Sequence, residues 1–469
     1  MISLYQTLRK GCSCMLKRAS LLSHSMLLLL FCVAVQTCIA QEDPDINGIT
    51  GYKGMQALKR NWRPFNNHSY WNKPIPVDAQ THTDSAAIIN ELTVRNYPKE
   101  IFLRLGEEWN PTLHVVGSQA SKFYYQSRSD ILENGVKVGV RHGRIYRFTH
   151  FNLQNCWNPD ADNIDNQDIT DQKWPFIPGV TYPAKVDDGL MIVVDKSAGN
   201  KFTSYEVSHG HDYLNTDGYA QCTTFNIWNL GYNGIVTYRP LCSSATSGTS
   251  GGGGASCASC DDYWQHAGGH GAGTSLIAGL IRPGELDNAL AAPLSPEDPN
   301  YNPDVASGDG LIHHALKFSY DQNRKGAPLY PFAYRNDGTM IPKADTSYKY
   351  PVEGMLFQLV DPDNAIENSI SNPYAKVIVR TLKTYGMVLV DNGSNGYSMA
   401  LYLQNMYTPN NDLATNRVWW DSHYQNIYDG LTGPSPYINT PKIRASDFRV
   451  IDTETLYLAH YLSDHINND

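Results

Sequence analysis

The chain has 469 residues, 37 basic against 46 acidic, and a formal charge of −9. That length buries a sizeable core without metal or disulfide staples, as one large domain with insertions or as two or three smaller ones. The acidic balance makes nucleic acid and anionic membrane surfaces poor partners.

The first forty residues carry Arg9, Lys10, Lys17 and Arg18 and no acid, then the apolar run 26–35, then Cys38-Ile39-Ala40 before Gln41. This order reads as a secretory signal peptide over 1–40, and ten apolar residues are too few to span a bilayer. The expected mature chain, 41–469, is one large secreted β-rich domain, extracellular or periplasmic, with no membrane span. Loss of the four basic residues takes its charge from −9 to −13.

A helix is expected over 85–96, where Ala87, Ile88, Leu92 and Val94 recur at helical spacing. Short β-branched and aromatic runs bounded by Gly, Asn, Asp and Pro predict strands at 112–116, 122–125, 136–140, 145–149, 191–194, 202–207, 225–228 and 234–238. Further strands are expected at 311–320, 355–359, 387–390 and 398–402. A second helix follows Asn372-Pro373, a cap with proline in the first turn, and ends at Gly386. The fold class this predicts is mainly β, a β-sandwich or jelly-roll-like core with a few short helices and inserted loops. The Ser/Gly-rich stretch 243–271 and the Asp/Asn-rich tract 158–171 read as insertions.

Five blocks in order resemble those of a group of secreted bacterial proteins of actinobacterial type. They are Asp188-Gly189-Leu190-Met191-Ile192-Val193-Val194-Asp195, Gly279-Leu280-Ile281-Arg282-Pro283-Gly284-Glu285, Ile312-His313-His314-Ala315-Leu316-Lys317-Phe318, Tyr385-Gly386-Met387-Val388-Leu389-Val390-Asp391-Asn392-Gly393 and Ser446-Asp447-Phe448-Arg449-Val450-Ile451-Asp452. The resemblance covers somewhat more than half the chain and implies an exported β-rich domain working on extracellular glycans. This chain has Leu190 where the group has histidine.

Several constellations carry chemistry. Alternation in 311–318 places Ile312, His314, Leu316 and Phe318 on one face and His313, Ala315 and Lys317 on the other. Burial among aliphatics favours a neutral His314, which suits a general base and equally a satisfied core histidine. Asp391, at a strand end, would orient that imidazole if the strands are neighbours, with Asp188 and Arg282 completing the set; the null is a plain Asn-Gly turn. Cys257, Cys260, His266 and His270 lie within fourteen residues, and the stretch reads as a disulfide loop through Cys222 or Cys242, as a zinc site, or as a solvated loop. His209 and His211 are spaced to reach one metal, and Asp160 and Asp162 offer oxygens to calcium. Trp71, Trp157, Trp419 and Trp420 sit beside polar residues, as sugar-stacking aromatics do. The expected function is a secreted carbohydrate-active protein, a polysaccharide lyase or glycoside hydrolase with His314, Asp391 and Asp188 at the chemistry. The alternative is a non-catalytic glycan-binding or surface-structural protein.

Overall fold

The computed structural model describes residues 61–94, 102–105, 110–116, 122–133, 136–143, 173–175, 189–195, 202–208, 219–222, 224–231, 270–298, 301–325, parts of 329–340, 349–393, 398–405, 414–432 and 443–457. The chain divides into two compact units, Met1–Asn47 and Gly48–Asp469, and every described residue lies in the second.

Among the described residues the strands form three mixed sheets. The largest has six strands in the order β1 (Phe102–Leu105), β13 (Ser398–Leu401), β10 (Leu316–Ser319), β12 (Met387–Asp391), β11 (Leu356–Leu359) and β14 (Phe448–Ile451). Within it β1 runs parallel to β13 and β10 parallel to β12, while the remaining pairs are antiparallel. The second sheet runs β2 (Thr112–Val116), β6 (Met191–Asp195), β7 (Thr203–Ser208) and β9 (Thr224–Asn229), with β2 and β6 parallel. The third joins β4 (Val136–Gly143), β3 (Lys122–Glu133) and β5 (Lys173–Pro175), and β8 (Tyr219–Cys222) pairs in parallel with β3.

Parallel pairs in every sheet depart from a jelly roll, which is built from antiparallel Greek keys. What stands of the expected architecture is sheets accompanied by a few helices: α1 (Ser85–Val94), α2 (Pro283–Leu290), α3 (Ala365–Ser369), α4 (Pro373–Thr384) and α5 (Ala414–Thr432). In α4 the Asn372 side chain accepts the Ala375 N–H at 2.9 Å, and Gly386 leaves the helix at φ 72°. Three helices escaped the sequence pattern, among them the five-residue α3. The α2 segment is short and hidden behind Arg282-Pro283, and α5 is rich in aromatics and asparagine. Trp420, Ile427 and Leu431 nonetheless form its single buried stripe.

Both faces of the six-stranded sheet are covered. Met387 and Leu389 of β12 point into one core with Leu316, Phe318, Met399 and the apolar stripes of α1, α2, α4 and α5. Val388 and Val390 point into the other, which takes Leu113 and Val115 from β2, Ile192 and Val194 from β6, and Trp228 from β9. On β10, therefore, no position faces water. Lys317 lies between Leu316 and Phe318 on the face turned toward the four-stranded sheet, and it is fully enclosed.

The expected strand 311–320 is shorter than its sequence pattern. Residues 311–315 are bent because their amides bond elsewhere: Ile312 to Thr381 Oγ1 at 3.0 Å and Ala315 to the Trp71 carbonyl at 2.6 Å. Among the described residues no helix is long and apolar enough to cross a membrane.

Candidate functional site

Between the six-stranded sheet and the sheet of β2, β6, β7 and β9 lies a polar cluster built from five separate segments. Lys317 Nζ stands 2.9 Å from His270 Nε2 and also donates to the Leu276 carbonyl. His270 Nδ1 lies 3.1 Å from Asp391 Oδ2, which accepts the Tyr402 hydroxyl at 2.8 Å. Asp391 Oδ1 takes the amides of Asn392 at 2.9 Å and Gly271 at 3.3 Å. An ionised Asp391 accepts only, so His270 carries its proton on Nδ1 and offers the Nε2 lone pair to the amine. The result is a carboxylate–imidazole–amine line, with the Tyr402 ring 4.4 Å from that of His270 and 5.2 Å from the Lys317 nitrogen.

Glu206, on β7 of the four-stranded sheet, closes the other side. Its carboxyl accepts the Ser275 hydroxyl at 2.6 Å, the Leu276 amide at 2.6 Å, the Ser204 hydroxyl at 3.0 Å and the Ile277 amide at 3.2 Å. Gly279 ends this turn at φ 65°, and a Cβ there would sit 2.7 Å from the Trp71 ring, so only glycine lets the turn close over β10.

Enclosure sets the electrostatics. Burial lowers the Lys317 ammonium to about 7, against the opposing pull of Glu206 and Asp391. Burial, with the charge of Lys317, lowers His270 to about 4 although Asp391 opposes the shift. Burial pushes the Glu206 carboxyl up, with Ser275, Leu276, Lys317 and Ile277 only partly offsetting it. Burial also pushes Asp391 up, but His270, Tyr402 and Gly271 outweigh it and hold the carboxyl below its ordinary range. Asp391 is the member of the line that meets solvent, its side chain 17% exposed against 0% for His270.

A second network lies at the start of α2 and in the chain just before β10. His314 Nε2 lies 3.0 Å from Glu285 Oε1, and its Nδ1 is 2.9 Å from the Ala315 carbonyl. The Arg282 guanidinium donates to Glu285 and, at 2.6 Å, to the Trp62 carbonyl, with its carbon 4.8 Å from the Trp62 ring centre. Glu285 closes this as the third residue of α2, accepting the Arg282 amide at 3.2 Å. Burial raises the Glu285 carboxyl, and Arg282 and His314 together bring it below the ordinary range.

The sequence-predicted set is thus split. His314 and Arg282 meet on Glu285, whereas Asp391 belongs to His270, at the far end of the parallel pair β10 and β12. Both ring nitrogens of His314 face oxygen acceptors, which leaves no lone pair for a proton from outside. Trp71 and Trp420 are core residues, 3% and 0% exposed, and do not offer their faces to a sugar. Trp71 packs edge-on against Phe332, and Trp420 is the largest side chain in the stripe of α5. Trp419 is half-buried, stacked on His423 and bonded to Asp287 at 3.0 Å. Asp188, Trp157, His209, His211, Asp160, Asp162, Cys242, Cys257 and Cys260 lie outside the described residues, and of Cys222 only its backbone pairing in β8 is described. The strands expected at 145–149 and 234–238 lie outside them too. Among the described residues no three His, Cys, Asp or Glu side chains are grouped to hold a metal.

Sequence reasoning passed over Lys317 and Tyr402 as site residues and read His270 only within its cysteine-rich stretch. The available signal was Lys317 itself, a lysine inside an apolar strand whose two neighbours are both core residues. A groove of about 700 Å3 beside α1, lined by Thr81, His82, Asn90 and Phe448 among others, contains none of these groups. No family model, curated protein or solved structure matches the chain.

Proposed function

We propose that the chain is a secreted carbohydrate-active enzyme that cleaves an extracellular polysaccharide by β-elimination, with the Asp391–His270–Lys317 line as its proton-transfer centre. The observation that carries this reading is an amine held at about 7 and aligned on an imidazole whose tautomer a carboxylate fixes. A base poised near neutrality is suited to removing a weakly acidic carbon-bound proton. In that step the neutral Lys317 amine takes the ring proton next to a uronate carboxylate. The freed electron pair forms the ring double bond, the bond to the leaving sugar oxygen breaks, and solvent protonates that oxygen. Hydrolysis by two carboxylates is less well served, since Glu206 and Asp391 each already accept four hydrogen bonds. The glycan class rests on the five sequence blocks and the signal-like N-terminus. Because Lys317 is enclosed, the reading requires the Asp391 end to open when substrate arrives.

The same enclosure favours a second reading, in which the cluster is an inter-sheet clamp in a glycan-binding or surface-structural protein. The deciding experiment incubates the mature chain with uronate-containing polysaccharides and follows reducing ends and unsaturated-product absorbance together. The enzyme reading expects both signals, rising with pH through about 7 as the amine deprotonates, and lost in Lys317→Met. Reducing ends without absorbance overturn elimination in favour of hydrolysis. Retention on an insoluble glycan with no release at any pH overturns the enzyme in favour of the binder.

A further inference from the structure

The Leu276 peptide is held from both sides. Its amide donates to Glu206 at 2.6 Å, and its carbonyl accepts from the Lys317 nitrogen. The flanking Ser275 hydroxyl and Ile277 amide also end on Glu206, at 2.6 and 3.2 Å. Two successive amides and a hydroxyl on one carboxylate fix the direction of the bend 275–277 more firmly than one bond would. Lys317 stands on the other side of that bend, on another sheet from Glu206, and the four ionisable or polar side chains around the amine are Glu206, His270, Asp391 and Tyr402.

We propose that Glu206 is a positioning residue: it pins the bend 275–277 so that the Leu276 carbonyl holds the Lys317 nitrogen in line with His270. Glu206 then acts through the peptide as well as through its charge. The carbonyl stabilises the ammonium, the form that burial disfavours, so loosening the bend removes support from the charged amine. The inference concerns the state of Lys317 and stands whether or not a polysaccharide is cleaved.

The test titrates Lys317 directly, by nuclear magnetic resonance of lysine labelled at the ε-carbon, in the full mature chain. Glu206→Gln, which sets an amide where only acceptors fit, is expected to move the Lys317 midpoint downward by about one pH unit or more. Glu206→Asp keeps the charge but withdraws it by one methylene from its donors. Positioning predicts a downward shift for Asp comparable to that for Gln. A midpoint unchanged in Glu206→Asp and lowered only in Glu206→Gln overturns the proposal, because charge alone then accounts for the effect. If both variants fail to fold, Ser275→Ala removes one donor and no charge. It is expected to lower the midpoint by a smaller amount, with faster hydrogen exchange at the Leu276 and Ile277 amides, and an unmoved midpoint overturns the proposal. Polysaccharide cleavage, assayed separately, reports on the catalytic reading alone.

Discussion

The two buried networks, one at Asp391 and one at Glu285, use the same ingredients, a carboxylate, an imidazole and a cation, with opposite results. At Glu285 the cation is an arginine three residues away on the same helix start, and both nitrogens of His314 face acceptors. Every proton there is spoken for, and the network holds α2 against the chain before β10. At Asp391 the cation is a lysine from a different strand, and the imidazole presents a lone pair to it. Arginine keeps its charge when buried, whereas lysine gives its proton up. That contrast separates a structural network from one in which a proton can move.

The contrast is broken most directly by removing one carboxylate. Glu285→Gln strands Arg282 and the donors of His314 in the core and is expected to cost about 3–5 kcal/mol in denaturant unfolding. A loss below about 1 kcal/mol would mean that the network is not holding α2.

Lys317→Met relieves the burial of an ammonium but strands the His270 Nε2 lone pair and the Leu276 carbonyl, so the two effects oppose each other in its stability at neutral pH. Its signature is in the pH dependence. Lys317 titrates near 7 when folded and near 10.5 when unfolded, so between those values the unfolded chain binds more protons and stability rises with pH. His270, near 4 folded against 6.5 unfolded, makes stability fall as pH drops through that window. Glu206, raised in the fold, acts oppositely above its ordinary range. Thermal unfolding from pH 7 to 10 should therefore show wild type gaining on Lys317→Met, and parallel curves would refute a buried, depressed amine.

His314→Asn removes one donor from Glu285 while Arg282 remains, for an expected loss of about 1–3 kcal/mol with no change in the pH dependence between 7 and 10. A changed pH profile would mean that Lys317 is not the group that sets it. The smallest effect is expected from Tyr402→Phe, which takes one of four donors from Asp391 and costs about 0.5–1.5 kcal/mol. The Asp391 carboxyl should then relax upward, readable in its carboxyl carbon resonance.

The local signals in the chain were strong where one segment decides its own structure. Asn372-Pro373 and Gly386 bracket α4, and a β-branched run after Asn110-Pro111 placed β2 at its observed bounds. Asp391 was legible as a carboxylate at a strand end, and His314 as a buried histidine among aliphatics. Their partners were not. Alternation set Lys317 on the face away from Leu316 and Phe318, but a period of two separates two faces without saying which of them meets water. On β10 both are covered, and a lysine turned from Leu316 and Phe318 enters a second core instead of solvent.

By itself the sequence determined the cap of α4, most strand positions, the acidic balance and the residue types from which a site could be built, since each depends on composition or near neighbours. Only the tertiary structure decided that Asp391 pairs with His270 across 121 residues and Lys317 with His270 across 47. Those pairings follow from the parallel run of β10 beside β12 and from the packing of a second sheet against it. Contacts between distant segments are set by sheet order and layer, and residue spacing along a chain carries no direct record of either.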